Sequence, residues 1–357
     1  MTLIIAEAGV NHNGEESLAY KLVDAAYNAG ADIVKFQTFK AAKLVTANAK
    51  QADYQITNTQ KEESQLAMLS RLELSFEFHL ELVKYCATKG IEFLSTAFDS
   101  ESLNFLVNDL KLKKLKIPSG DLTNSPLLLE HAQTGCDLIV STGMATLAEI
   151  ESALGVIAFG YIAQQEEKPS IQAFEEAYYS ELGQKLLKEK VTILHCTTEY
   201  PAPMLDINLR AMDTIASAFK LPVGYSDHSA GINVPIAAVA RGARVIEKHF
   251  TLNKNLEGPD HKASLEPIEL EAMVRGIREI ELALGDGLKG PRPSEIGNKS
   301  VARKSLVAEK IITKGTVFNE ANLSIKRPGS GLNPIHYWTL LGKEAKSDYK
   351  IGDLINE

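Results

Sequence analysis

Two histidines carry the strongest chemical signal in this chain: His228 in Gly224-Tyr225-Ser226-Asp227-His228-Ser229 and His249 in Val245-Ile246-Glu247-Lys248-His249-Phe250. Each ends an apolar run that reads as a strand. One helix-length segment separates the runs, so they are expected to lie side by side, parallel, with their ends facing the same way. A lone buried histidine is ordinarily a satisfied core residue. Two neutral imidazoles converging on one mouth are better suited to hold a divalent metal, leaving positions open for substrate and water.

Other strand tips add a matching set of polar groups: Glu7; Lys35 with Gln37; Thr96; Lys116 with Ser119 and Asp121; Ser141; Glu199; Ser226; and Glu247. Lys35 and Lys116, with the hydroxyls of Ser119, Ser141 and Ser226, have the makeup of a pocket for phosphate and carboxylate. The ligand implied is small and doubly charged. Both lysines sit inside apolar runs, Ile33-Val34-Lys35-Phe36 and Leu115-Lys116-Ile117, and need counter-charges there. Glu7, at the tip of the first apolar run, should be partly desolvated with a raised pKa, which makes it the acid/base candidate. A structural ion pair with Lys35 or Lys116 is the alternative. Asp227 or Glu247 could orient the metal histidines, a point that spacing leaves open.

The elements that must position these groups recur along the chain. Apolar runs at Leu3 to Ala8, Ala31 to Gln37, Ile91 to Thr96, Lys114 to Pro118, Asp137 to Ser141, Val191 to Cys196, Leu221 to Gly224 and Ala243 to Glu247 alternate with helical patterns. Alternation of this kind predicts an α/β fold with a parallel sheet, and eight units point to a (β/α)8 TIM barrel over residues 1–284. A dinucleotide fold is disfavoured, because Gly9-Val10-Asn11-His12-Asn13-Gly14 has the wrong glycine spacing. Residues 40–75 form a long connection after the second strand and are expected to act as a lid. The charged stretch 157–190 precedes a strand and is expected on the opposite face or as a surface helix without a catalytic role. A Gly/Pro-rich linker is read at 285–300, followed at 301–357 by a small Gly-punctuated module, marginal alone and expected to dock elsewhere.

Composition narrows the function classes. The chain is 45% hydrophobic and 24% charged, ordinary for a globular protein. Its net charge of −8 disfavours nucleic acid, and no run is long enough to span a membrane. The opening residues read as a strand and not a signal peptide, so a cytoplasmic enzyme is the expectation. Cys86, Cys136 and Cys196 are irregularly spaced and read as reduced core thiols.

Nine ordered motifs together resemble the sialic acid synthase family, in which a barrel precedes an antifreeze-like (SAF) domain. They include Ala6-Glu7-Ala8-Gly9-Val10-Asn11-His12-Asn13-Gly14, Val34-Lys35-Phe36-Gln37-Thr38-Phe39, Lys116-Ile117-Pro118-Ser119-Gly120-Asp121, His195-Cys196-Thr197-Thr198-Glu199-Tyr200-Pro201, Gly258-Pro259-Asp260-His261 and Lys326-Arg327-Pro328-Gly329. The resemblance implies a metal-dependent condensation of phosphoenolpyruvate with an N-acetylated amino sugar, giving a nine-carbon 2-keto sugar acid and phosphate. It assigns the metal, Mn2+ foremost with Mg2+ or Co2+ as alternatives, to His228 and His249. Phosphoenolpyruvate falls to Lys35, Thr96, Lys116, Ser119, Ser141 and Ser226. The sugar falls to Gln37, Asp121, Tyr200 and Asp260. It further implies a domain-swapped homodimer in which Arg327 of one chain reaches the sugar in the other.

N-acetylmannosamine, giving N-acetylneuraminate, is the first substrate expected. The alternative is 2,4-diacetamido-2,4,6-trideoxymannose, giving N,N'-diacetyllegionaminate. The stretch Asp53-Tyr54-Gln55-Ile56-Thr57-Asn58-Thr59 is similar to bacterial members using the former, while Cys196-Thr197-Thr198-Glu199-Tyr200-Pro201-Ala202-Pro203 is similar to legionaminate enzymes. Asp121 stands where many relatives carry Glu, and Glu199 where some carry Asn. Remoter readings are a metal-dependent pyruvate aldolase and a carbohydrate-binding protein with a degenerate site.

Overall fold

Eight short runs of buried β-branched and aliphatic residues pair in sequence order, every pair parallel, and the last closes on the first. The strands are β1 (Leu3–Gly9), β2 (Ile33–Thr38), β3 (Glu92–Ala97), β4 (Lys114–Ile117), β5 (Asp137–Ser141), β6 (Val191–Cys196), β7 (Val223–Asp227) and β8 (Val245–His249). The expected eight-stranded barrel is therefore present. This computed structural model describes residues 1–59, 61–164 and 166–357; the side chains of Tyr54 and Thr57, within the stretch compared above, lie outside the described residues. The chain divides into two compact units, Met1–Gly285 and Asp286–Glu357.

Strand alternation explains where the site sits. Ile5, Ile33, Leu94, Ile139, Leu194 and Val245 form an apolar plug across the barrel interior. Side chains two residues further along share that inward face. Those positions are Glu7, Lys35, Thr96, Ser141, Cys196 and Glu247, so a polar layer lies directly above a dry one. On β7 the plug position is Gly224, where a Cβ would collide with the Val245 carbonyl oxygen and Leu194. The outward faces of the strands join the surrounding helices in one large core containing Ile4, Val34, Phe36, Leu115 and Ile246.

The connection after β2 forms three short helices, Ala41–Leu44, Asp53–Thr59 and Gln65–Ser70, the last capped by Ser64 accepting from the Ala67 amide. A small cluster of Val10, Phe39, Met68 and Leu72 holds this segment to the barrel. Residues 157–190 are largely helical, as expected. Helix Leu147–Ile162 carries into the stretch, and Ile171–Tyr179 and Glu181–Lys190 follow, with Ser180 capping the last.

Several boundaries differ from expectation, β2 among them, which starts at Ile33 and not Ala31. β7 starts at Val223 and β8 at Val245, each two residues later than its apolar run, and the strands extend to Asp227 and His249. The stretch read as linker at 285–300 contains the start of helix Pro293–Ala302. Proline at the first helical position and the Glu295 carboxylate accepting from the Arg292 amide at 2.9 Å initiate it, which outweighs the loop-like composition.

In the second unit, β9 (Ser305–Ala308) and β10 (Leu323–Lys326) pair antiparallel. Its core is small: Leu306, Ile312, Phe318, Leu340, Tyr349 and Ile355 are its larger members. All three cysteines are free and buried. No helix among the described residues is long and apolar enough to cross a membrane.

Candidate active site

Four buried charges form a chain across the barrel mouth. Lys35 Nζ lies 2.8 Å from Glu7 and 3.7 Å from Glu247, and Lys116 Nζ lies 3.6 Å from the other oxygen of Glu247. Strand pairing sets Glu7 opposite Lys35, and Ser226 opposite Glu247. Thr96 Oγ1 accepts from Lys35 Nζ at 3.1 Å, Ser226 donates to Glu247 at 3.1 Å, and Gln37 Nε2 donates to Glu7 at 3.3 Å. Glu7 is thus ion-paired with Lys35, the structural alternative, while its burial also favours the raised pKa expected of it.

The two carboxylates are driven apart. Burial pushes Glu7 up to about 7, with Lys35 opposing and the Glu247 charge reinforcing the rise. Burial also penalises the charge on Glu247, yet Lys116 and Lys35 outweigh it and hold that carboxyl far below its usual range. Glu247 is the fixed anion between the lysines, and Glu7 is the group that exchanges a proton near neutrality. Divergent environments of this kind separate acid/base roles.

At the other end of the mouth stand the imidazoles, with ring centroids 5.7 Å apart. Burial lowers His228 to about 4 and His249 well below its ordinary value, so both are neutral at pH 7. His228 Nδ1 bonds the Thr197 carbonyl oxygen at 2.6 Å, leaving Nε2 as an acceptor for the Tyr200 hydroxyl at 3.2 Å, and Tyr200 stacks on the ring. His249 Nδ1 is buried without a partner. Neither Asp227 nor Glu247 orients the pair by a bond to a ring: Asp227 turns outward to Lys248, and Glu247 is taken by Ser226 and the lysines. Alternation along the strand sends Asp227 to the wrong face.

A cavity of about 240 Å³ joins the two ends, and twelve of the fourteen expected site residues line it: Glu7, Lys35, Gln37, Thr96, Lys116, Ser119, Ser141, Tyr200, Ser226, His228, His249 and Asp260. Asp260 is buried, and burial alone pushes its carboxyl up to about 6. Asp121 is not on the wall. It ends a short 3-10 turn and accepts from the Asn124 side chain at 3.1 Å, which keeps its carboxyl at the rim. Glu199 is exposed and also outside the wall. Arg327 belongs to the second unit, where it is exposed and its Nε donates to the Ala302 carbonyl oxygen.

The cavity also holds residues that the sequence reading passed over. Glu247 was counted among the carboxylates but its place between both lysines was not foreseen. Thr198 lines the wall with its hydroxyl oxygen buried and unpartnered, near Ser119, whose hydroxyl accepts from the Gly143 amide. A Cβ at Gly143 would strike Thr198, Cys196 and Ser119 together. Val10, Met68, Leu69, Leu72 and Phe98 make one apolar side. On a helix such residues read as ordinary core, and only their placement over the mouth gives them another meaning.

A closed parallel barrel with charged groups lining a cavity at its strand C-termini has the architecture of a barrel enzyme. The chain belongs to the NeuB family, the sialic acid synthase family, whose model matches residues 22–289; a SAF domain matches residues 303–357. An N,N'-diacetyllegionaminic acid synthase from Campylobacter jejuni is 50% identical over 356 residues, covering 100% of this chain and 99% of that protein. One from Legionella pneumophila is 44% identical, covering 98% and 92%. Among solved structures, an N-acetylneuraminic acid (sialic acid) synthetase from Leptospira borgpetersenii matches with a TM-score of 0.66 at 33% identity, covering 83% of this chain and 90% of that one.

Proposed function

We propose that this enzyme is an N,N'-diacetyllegionaminate synthase, condensing phosphoenolpyruvate with 2,4-diacetamido-2,4,6-trideoxymannose and water to give the nine-carbon 2-keto acid and phosphate. The observation that carries the sugar assignment is the 50% identity, end to end, with a protein of that activity, against 33% with a sialic acid synthetase. The order of the two substrates expected from sequence is thereby reversed. The apolar side of the cavity supports the same reading. An apolar wall of Met68, Leu69 and Leu72 suits the C6 methyl of a 6-deoxy sugar better than a C6 hydroxyl, which would be costly there without a partner.

The donor set suits the reaction. Lys35 and Lys116, with Thr96, Ser119, Ser141, Thr198 and Ser226, offer charge and hydroxyl donors to a phosphate and a carboxylate. Gln37, Tyr200 and Asp260 face the sugar; Asp121 approaches from the rim. Two neutral imidazoles with an unpartnered buried nitrogen fit a divalent cation, Mn2+ foremost, and no third His, Cys, Asp or Glu joins them in a metal-holding group among the described residues. Bound there, the ion would supply Lewis acidity to the sugar's aldehyde oxygen. C3 of phosphoenolpyruvate bonds to the aldehyde carbon, water adds at C2, and the C2–O bond to phosphate breaks as the ketone forms. One water proton ends on the former aldehyde oxygen and the other on phosphate. Glu7, poised near neutrality, is the group to pass them. Arg327 of the partner chain in a domain-swapped homodimer completes the sugar site in this reading.

Phosphate release measured with each sugar and Mn2+, with a chelator control, tests it. A higher kcat/KM for the diacetamido sugar is expected; a higher value for N-acetylmannosamine would make the enzyme a sialic acid synthase, and chelator-insensitive release would remove the metal from the account.

A further inference from the structure

Among the described residues, one ion pair is fully buried on the outer face of the barrel mouth, formed by the two residues that precede the imidazoles. Lys248 and Asp227 are 0% exposed, with Nζ 2.5 Å from the carboxylate. They are register partners on β7 and β8, and each immediately precedes one of the histidines. The contacts go further than the pair. Asp227 accepts from the Ser229 amide at 3.0 Å, and Lys248 Nζ donates to the Ser229 carbonyl oxygen. The residues on both sides of His228 are thus tied to the residue before His249.

Other backbone bonds to these segments come from loops and, for the His249 segment, from β1, where Glu7 is the register partner of His249. The His228 carbonyl oxygen accepts from the Ala202 amide, and the His249 carbonyl oxygen from the Leu265 amide, each at 2.9 Å. Neither joins one histidine segment to the other beyond the strand end. β7 stops at Asp227, so His228 lies past the ladder while His249 is still within it. The lysine bridges that mismatch. A buried ion pair typically adds little net stability over apolar side chains of the same volume, so its placement here calls for a geometric role.

We infer that Asp227 and Lys248 are positioning residues that fix the separation and relative orientation of His228 and His249 by anchoring the Ser229 turn to β8. The inference rests on the reading of the two imidazoles as a divalent-cation site. Neither residue touches substrate or ion; each acts through the backbone of its neighbour. Supporting groups of this kind change metal affinity by roughly 10- to 100-fold when removed.

The test is Mn2+ affinity of the full-length protein, read from the free-ion electron paramagnetic resonance signal, independent of turnover. Asp227→Leu/Lys248→Met removes both charges together, so no lone buried charge is left to unfold the chain. The expected result is a folded protein whose Kd for Mn2+ is at least about tenfold higher than wild type. Removing the surface pair Arg241–Asp213 by Arg241→Met should leave the Kd unchanged. If the double variant does not fold, Lys248→Arg serves in its place, since the larger guanidinium in a fully buried position must displace the Ser229 turn, and the same rise is expected. A wild-type Kd in whichever variant folds overturns the positioning role. Absence of Mn2+ binding by wild-type protein would instead overturn the cation site itself, and the inference with it.

Discussion

Two buried charge systems lie on opposite faces of the barrel wall, meeting on β8, and their completeness differs. Inside the mouth, Lys35 and Lys116 share Glu7 and Glu247 at distances from 2.8 to 3.7 Å around a cavity, and Ser141 and Thr198 have hydroxyls without partners. Outside, Lys248 has Asp227 and a backbone carbonyl at close range and no access to solvent. The inner system is left open for a ligand to finish; the outer one is finished by the protein. Charges whose hydrogen bonds are incomplete in the free enzyme are free to bind, whereas a closed pair only holds its neighbours.

That contrast can be broken from either side. Removing an inner charge should cost activity more than stability. Lys116→Met is expected to lower kcat/KM on the order of 10² to 10³, as loss of a preorganised electrostatic donor does, with a smaller loss of Tm than Lys248→Met gives, because Glu247 keeps Lys35 at 3.7 Å. A comparable loss of Tm would mean the inner lysines are structural after all. Glu7→Gln should lower kcat by roughly 10² to 10⁴ and flatten its pH dependence near 7.

Removing an outer charge should cost stability first. Lys248→Met alone leaves Asp227 buried and unpaired, and urea unfolding should show a loss of about 3–5 kcal/mol. A loss below about 1 kcal/mol, the range of surface pairs, would show that the pair is not closed in solution.

pH sharpens the same distinction. Glu7 has a folded pKa of about 7, above its unfolded value, so ionising it opposes folding as pH rises from the unfolded carboxyl range through 7. Glu7→Gln should therefore raise Tm relative to wild type at pH 8 and scarcely at pH 4.5. Buried His12, lowered to about 3, and His261, lowered to about 4, act in the other direction. Their neutral forms favour the fold, so their contribution is complete above the unfolded value of about 6.5 and lost as pH falls below it. Tm of Glu7→Gln should fall between pH 7 and 5; a flat profile would contradict the burial of those rings.

Much of this was legible in the chain because strand periodicity and motif position coincide. A polar residue at the tip of an apolar run stands out from its neighbours, and Glu7, Lys35 and Thr96 are such residues, two places beyond the buried plug positions Ile5, Ile33 and Leu94. Asp121 was harder, since a 3-10 turn breaks the alternation that would have aimed it inward. The roles of Asp227 and Glu247 depend on which face each side chain takes and on partners on other strands, which local spacing does not encode. Helix Pro293–Ala302 was hidden by flanking Gly and Pro, although its proline start is itself a helix signal. Met68 and Leu69 belong to a short helix whose apolar residues carry no mark of facing a cavity and not a core.

The most direct measurement follows phosphoenolpyruvate labelled with ¹³C at C2 and C3, together with 2,4-diacetamido-2,4,6-trideoxymannose and Mn2+, by nuclear magnetic resonance. Both labels should move into a nine-carbon 2-keto acid, with the labelled C3 bonded to a sugar carbon, as phosphate appears in equal amount. Phosphate without the new carbon–carbon bond, or the same product formed from labelled pyruvate in place of phosphoenolpyruvate, would contradict the account.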